Sequence, residues 1–206
     1  MVRIYTLALP FPSAGVCGQK VSPERLAAWR ARHGAVRESA RESLAALLLL
    51  DRVLPAGDLI YSSTGKPLLR EGEASFSLSH SKGRVFCAVL DAKGGETLTV
   101  GIDAELLAGR APSRCASLSR RWFTPREQER LSAAGNTEQE FLRIWTAKEA
   151  LVKATGEGLA GLAAADTARV EERGLQILTI NAEELFLSVV APRGVRIDPE
   201  ILEISI

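Results

Sequence analysis

Trp145-Thr146-Ala147-Lys148-Glu149-Ala150-Leu151-Val152-Lys153 and Gly101-Ile102-Asp103-Ala104-Glu105 are the two stretches on which the fold turns. The first reads as a helix, and its i, i+4 spacing puts Trp145, Glu149 and Lys153 on one face. The second reads as a hydrophobic strand ending in two carboxylates. Asp103 and Glu105 are two apart, so on a regular strand both side chains face the same side. Two hard oxygen donors there suit Mg²⁺, which keeps waters and takes one or two carboxylates plus substrate phosphates. With a helical carboxylate and a helical lysine beside them, they could hold a metal and a pyrophosphate. Each piece also has a plainer account. An Asp-x-Glu can be a strand leaving the core for a polar loop. Glu149 with Lys153 can be a solvated pair worth about 0.2–0.5 kcal/mol. Lys148 can be a solvated helix lysine, and Trp145 a packing residue.

Outward from these stretches the chain alternates helices with groups of strands. Residues 138–155 carry the strongest helix signal, with Asn136 or Thr137 as cap and Gly156 as stop. Thr124-Pro125-Arg126-Glu127 fits a capping box, and a Gly/Pro/Arg-rich loop is expected between it and Glu105. Upstream, Val2 to Leu9 reads as a strand. Ser22-Pro23-Glu24 starts a helix that ends at Gly34, with Ser22 as N-cap, and residues 37–53 form a second helix. Asp58–Tyr61, Ser75–Leu78, Val85–Leu90 and Thr97–Ile102 read as strands, with turns at Gly65-Lys66-Pro67 and Lys82-Gly83. The tail is expected to be β: Ala168–Glu172, Leu175–Ile180, Leu185–Val190 and Ile201–Ile206. Each half thus has helices followed by strands. The expectation is an α+β protein of two similar lobes, residues 1–100 and 101–206, joined near 92–104, with the metal site in the second.

Composition excludes several classes. The 206 residues carry a formal net charge of +1, so no whole-chain field draws the protein to nucleic acid or membrane. Arginines cluster locally in residues 20–41 and 106–130, which suggests specific anionic partners. Cys17, Cys87 and Cys115 have no ligand spacing, and with only His33 and His80 a Cys/His zinc site is not expected. Reduced thiols in a cytoplasmic protein are the simplest account. The apolar start has Arg3 alone as a leading charge, is broken by Pro10 and Pro12, and is not expected to be an export signal. Nucleophile-elbow, Walker and dinucleotide glycine motifs are absent. His80, in Ser77-Leu78-Ser79-His80-Ser81-Lys82, ends a strand among hydroxyls and a lysine. It could bind phosphate or be polar surface.

Taken jointly and in order, these elements resemble the 4′-phosphopantetheinyl transferase superfamily. They are Gly65-Lys66-Pro67, Ser77 to Ser81, Gly101 to Glu105, Phe123-Thr124-Pro125-Arg126-Glu127 and Trp145 to Lys153. The resemblance covers roughly residues 40–156 and favours the larger monomeric, Sfp-like type. It implies a pseudodimer of two α+β lobes with coenzyme A in the cleft. It also implies transfer of the phosphopantetheine arm to a serine of a carrier protein, releasing adenosine 3′,5′-bisphosphate. Residue by residue, it implies Asp103, Glu105 and Glu149 as Mg²⁺ ligands. Glu149, Lys153 and Asp103 would be catalytic. Arg41, Lys66, Pro67, Ser79, His80 and Lys153 would bind coenzyme A, with Lys66 and Pro67 near the adenine. Arg114, Arg120 and Arg121, with Leu118 and Trp122, could dock an acidic acyl or peptidyl carrier. A Mg²⁺-dependent hydrolase of coenzyme A or a nucleotide, using the same acids, is the alternative, and a non-catalytic binding module a third reading.

Overall fold

The computed structural model describes residues 1–54, 57–70, 74–91 and 99–205. The first sheet contains β1 (Val2–Leu7), β4 (Ala74–Ser81), β5 (Arg84–Asp91) and β9 (Ile197–Ile204), in the order β4-β5-β1-β9. β1 is antiparallel to β5, with Ile4 opposite Ala88, and parallel to β9. The second sheet has β6 (Gly101–Leu106), β7 (Leu175–Ala182) and β8 (Leu185–Pro192) in the antiparallel order β6-β8-β7. A short hairpin pairs β2 (Leu59–Tyr61) with β3 (Pro67–Leu69).

Hydrophobic alternation explains the layers. In β5, Val85, Cys87 and Val89 join one core, while Phe86, Ala88 and Leu90 join another. The first core is capped by α1 (Ala14–Lys20), α2 (Pro23–His33) and α3 (Arg41–Val53). The second is shared with Ile102, Ala104, Leu187 and Val189 of the other sheet. α4 (Pro112–Trp122), α5 (Pro125–Ser132) and α6 (Thr137–Thr155) belong to the far side of that sheet, where Phe186 and Val190 meet them. Helices, sheet, sheet and helices follow in turn, and strands covered on both faces read as continuous apolar runs. The protein is α+β, as its sequence implies.

The edges of β4 and β6 are joined by side chains. Ser77, Ser79 and Ser81 alternate along β4, and their Oγ atoms accept the N–H groups of Ile102, Ala104 and Leu106 at 3.1, 3.2 and 3.4 Å. Hydroxyls thus satisfy the open edge of β6, whose other edge pairs with β8.

Several expectations need correction. The loop expected after Glu105 contains α4, which starts with Pro112 at N1 and buries Cys115 and Ser119 on one face. Arginines and serines on the other positions hide that period. Ala168–Glu172 is not a strand. Asp166 accepts the Ala168 N–H at 2.9 Å and starts 3-10 turns over Thr167–Arg173, which end at Gly174 in the left-handed region. α1 has no expected counterpart. Ser22 holds the N-cap position of α2, but its hydroxyl goes to Asp51. Thr97, Leu98, Ile206 and the joining segment 92–98 lie outside the described residues. β9 sits in the first sheet, although it lies beyond residue 100.

Candidate active site between the two sheets

Gly101 opens β6 directly under α6. A Cβ there would run into the Ala150 carbonyl of the helix. Glycine therefore lets α6 approach β6 backbone to backbone, and that approach sets the site. From α6, the Lys153 Nζ reaches Asp103 Oδ1 at 2.7 Å, the Ile102 carbonyl at 3.1 Å and Ser79 Oγ at 3.3 Å. Ser79 Oγ donates to the same Asp103 oxygen at 2.9 Å. Asp103 is buried and Lys153 half-buried. Glu105, on the same side of the strand, accepts from Ser81 Oγ at 3.0 Å and Arg110 Nη2 at 3.2 Å.

Glu149 has its proton affinity raised, first by burial and then by the charge of Asp103, with Lys153 opposing and Glu105 adding to the rise. Among the described residues no three His, Cys, Asp or Glu side chains form a ready metal cage. The donor chemistry nevertheless fits a hard divalent cation. Asp103, Glu105 and Glu149 offer carboxylate oxygens, the ligand type such an ion takes.

A cavity of about 280 Å³ brings four of the expected residues together: Lys66, Pro67, Glu149 and Lys153. The first sheet also contributes Phe76, Ser77 and Leu78 to it. The Lys66 ammonium is turned inward to the Ala154 carbonyl at 2.9 Å, near the end of α6, with Thr99 Oγ1 and the Val100 carbonyl at 3.4 Å. Burial lowers its pKa to about 8. Arg41 and His80 instead line a separate, open hollow of about 820 Å³ with Glu42. There His80 Nδ1 lies 3.0 Å from Glu42 Oε2. Arg41 donates to the Phe11 and Pro12 carbonyls at 2.5 and 3.0 Å, and its guanidinium lies over the Phe11 ring. The sequence reading missed Ser81, Arg110 and Glu42 as partners of the expected residues. Its available signal was the serine alternation at 77, 79 and 81.

Neither Lys148 nor Trp145 is among the residues that line the cavity. Lys148 is fully buried, not solvated, and Trp145 stacks on Phe141 with ring centroids 5.7 Å apart. The capping box at Thr124 forms in both directions: the Glu127 N–H reaches Thr124 Oγ1 at 3.3 Å, and the Thr124 N–H reaches Glu127 Oε2 at 2.9 Å.

A family model described as the 4′-phosphopantetheinyl transferase superfamily matches residues 99–191. The 4′-phosphopantetheinyl transferase AcpT of Salmonella typhimurium is 31% identical over 163 residues, covering 77% of this chain and 80% of that protein. The chain belongs to this superfamily. The 4′-phosphopantetheinyl transferase HetI of Nostoc is 43% identical over 108 residues, half of this chain and 43% of that protein. The 4′-phosphopantetheinyl transferase psf-1 of Bacillus pumilus is 34% identical over 136 residues, covering 64% of this chain and 54% of that relative. The matches thus span about half the length of these two relatives. In superfamily terms, residues 99–191 run from the start of β6 through α6 to the end of β8. They include all three expected acids and Lys153. Among the described residues no helix is long and apolar enough to cross a membrane.

Proposed function

We propose that this member of the superfamily transfers the phosphopantetheine arm of coenzyme A to a serine of an acyl or peptidyl carrier protein. The observation that carries this reading is the meeting of α6 with β6. Lys153 lies 2.7 Å from Asp103 on a helix whose Glu149 faces the same cavity. A phosphoanhydride needs fixed cations and a base, and this junction supplies both.

The serine oxygen attacks the β-phosphorus, and a new P–O bond forms. The bond from that phosphorus to the bridging oxygen breaks, and adenosine 3′,5′-bisphosphate leaves with the electron pair. Glu149, directly or through a water, takes the serine proton, and its raised proton affinity suits that task. Lys153, anchored by three acceptors, is placed to balance charge on the transferring or departing phosphate. Ser79 fixes Asp103, while Ser81 and Arg110 fix Glu105. Asp103 and Glu105, with Glu149 where it does not serve as the base, would hold Mg²⁺, which when bound supplies Lewis-acid polarisation of the phosphoryl oxygens. The Lys66–Pro67 turn forms one cavity wall, while Arg41 offers its guanidinium and His80 a ring nitrogen to the 3′-phosphate from the separate hollow.

Carrier docking falls to α4, where Arg114, Arg120 and Arg121 are exposed and Arg121 lies over the Trp122 ring. Arg110 turns inward to Glu105 and Arg130 pairs with Glu140. The three relatives named above are all transferases, and nothing in the site favours the hydrolase.

Intact-mass spectrometry of an apo carrier protein incubated with this chain, coenzyme A and Mg²⁺ tests the reading. A gain of one phosphopantetheine arm, abolished by EDTA, supports it. Binding of coenzyme A with no gain on fatty-acid, polyketide or peptide synthase carriers overturns it.

A further inference from the structure

Asp103 and Glu105 are held in the same way. Each has one carboxylate oxygen claimed by a β4 serine and by a cation. Asp103 Oδ1 accepts from Ser79 Oγ at 2.9 Å and from Lys153 Nζ at 2.7 Å. Glu105 Oε2 accepts from Ser81 Oγ at 3.0 Å and from Arg110 Nη2 at 3.2 Å. Among the described residues no hydrogen bond reaches the second oxygen of either acid, Asp103 Oδ2 or Glu105 Oε1. Lys153 comes from α6, but Arg110 comes from the loop that follows β6 itself. That loop is pinned. Glu138 Oε1, in the first turn of α6, accepts the N–H groups of Ala108 and Arg110 at 3.2 and 2.7 Å. The Leu107 N–H reaches the Glu184 carbonyl at 2.7 Å. The Arg110 side chain is only 20% exposed, and its Nη1 is buried without a hydrogen-bond partner. A buried unpaired nitrogen is unfavourable, so stability alone does not account for this placement.

We propose that Arg110 is a positioning residue that sets the choice of ion: by claiming Glu105 Oε2 it leaves that carboxylate a single oxygen for a metal, which favours Mg²⁺ over Ca²⁺. This rests on the transferase reading above, in which Asp103 and Glu105 hold the ion. Mg²⁺ takes single oxygens in a tight octahedron and keeps waters. Ca²⁺ takes more oxygens at longer range, often both from one carboxylate. An oxygen that already accepts a hydroxyl and a guanidinium has little left to give a cation, and the Arg110 charge repels one there. The guanidinium therefore weakens both ions somewhat, but only Ca²⁺ loses a bond. Lys153 claims Asp103 Oδ1 in the same manner, yet it also lines the phosphate-sized cavity, so its two tasks cannot be read apart. Arg110 is not among the residues that line that cavity, and its effect on the ion stands by itself.

Calorimetric titration of Mg²⁺ and of Ca²⁺ into wild type, Arg110→Met and Arg110→Lys, each with coenzyme A present, provides the test. Melting curves check that the variants fold, and transfer to a carrier is followed in parallel. Wild type is expected to bind Mg²⁺ at least as tightly as Ca²⁺. Arg110→Met should raise the ratio of Ca²⁺ to Mg²⁺ affinity about tenfold. Arg110→Lys, which keeps a cation on Oε2, should stay near the wild-type ratio. A wild type that transfers the arm but binds Ca²⁺ more tightly than Mg²⁺ overturns the inference and leaves the transferase reading standing. So does an Arg110→Met ratio equal to that of wild type, or an Arg110→Lys ratio shifted as far as that of Arg110→Met. A wild type that binds neither ion and transfers nothing overturns both.

Discussion

Lys148 and Glu127 form an ion pair sealed inside the C-terminal half of the chain, with Nζ and Oε2 2.8 Å apart and side chains 0% and 3% exposed. Lys148 also donates to the Ala165 carbonyl, and Glu127 Oε1 accepts from the N–H and hydroxyl of Thr167 at 3.2 and 2.8 Å. The pair therefore ties α5, α6 and the segment after the cavity loop together. Removing one partner leaves the other charge buried alone. Lys148→Met is expected to cost about 3–5 kcal/mol in urea unfolding at neutral pH. Burial pushes Glu127 up, but hydrogen bonds from Lys148 and Thr124 outweigh it and hold the carboxyl below its usual range. The linked stability is present above the usual carboxylate range and is lost as pH falls through the lowered value. A wild-type unfolding series from pH 6 to pH 3 that shows no loss would contradict this.

Glu149 has the opposite sign. Its folded form prefers the proton, so its contribution to stability falls as pH rises through and above the ordinary carboxylate range. Glu149→Gln mimics the protonated form. The variant should melt higher than wild type at pH 7 in EDTA, while transfer drops by well over tenfold, since the base is gone. Scanning fluorimetry and the carrier mass shift read the two effects separately.

Lys66 is a half-buried ammonium whose pKa is lowered by desolvation from 10.5 to about 8. Between those values the unfolded chain holds the proton more tightly than the folded one. Stability from this group therefore rises with pH across that window and is flat below it. Lys66→Met should remove that slope. Unfolding free energies of both proteins at pH 7.5 and pH 9.5 are the check.

Each serine of the β4–β6 ladder accepts one N–H that has no other strand beside it. Ser77→Ala and Ser81→Ala should each destabilise by about 1–3 kcal/mol in denaturant titrations. Ser79→Ala should cost more and also slow transfer, because Ser79 alone touches Ala104, Asp103 and Lys153 together.

Arg120 and Arg121 close α4 on an exposed face. Reversing both to glutamate should raise the KM for an acidic carrier several-fold and weaken its salt dependence, with little change in the KM for coenzyme A. Steady-state kinetics at two ionic strengths decide it, and an unchanged carrier KM removes the docking role.

The strands and helices that bury one face, or both, were readable from periodicity alone: β1, β5, β8 and α6 fall where the apolar patterns put them. The capping box at Thr124 was readable too, but not the second use of Glu127 as the partner of a buried lysine. That use depends on Lys148, whose sequence neighbourhood looks like any helix surface. α4 escaped because its inward face is Cys115 and Ser119, too weakly apolar to stand out among arginines. Pairing across the chain was also hidden. Nothing local to Arg41 shows that the carbonyls of Phe11 and Pro12 will claim its guanidinium. Arg25, read as part of a basic cluster, is buried against Asp51 at 2.8 Å.

The parallel pairing of β1 with β9 joins residues almost two hundred positions apart in one sheet, Ile4 beside Ile201 and Leu7 beside Ile204. During synthesis the first strand must therefore wait, with one edge unclaimed, until residues 197–204 have left the ribosome. Neither half can be made as a finished piece, and folding is set to be slow and governed by its longest loop closure. Cutting the chain before Ile197 would leave the β1 edge open to any passing strand, so such a truncation should aggregate where the longer chain stays dispersed.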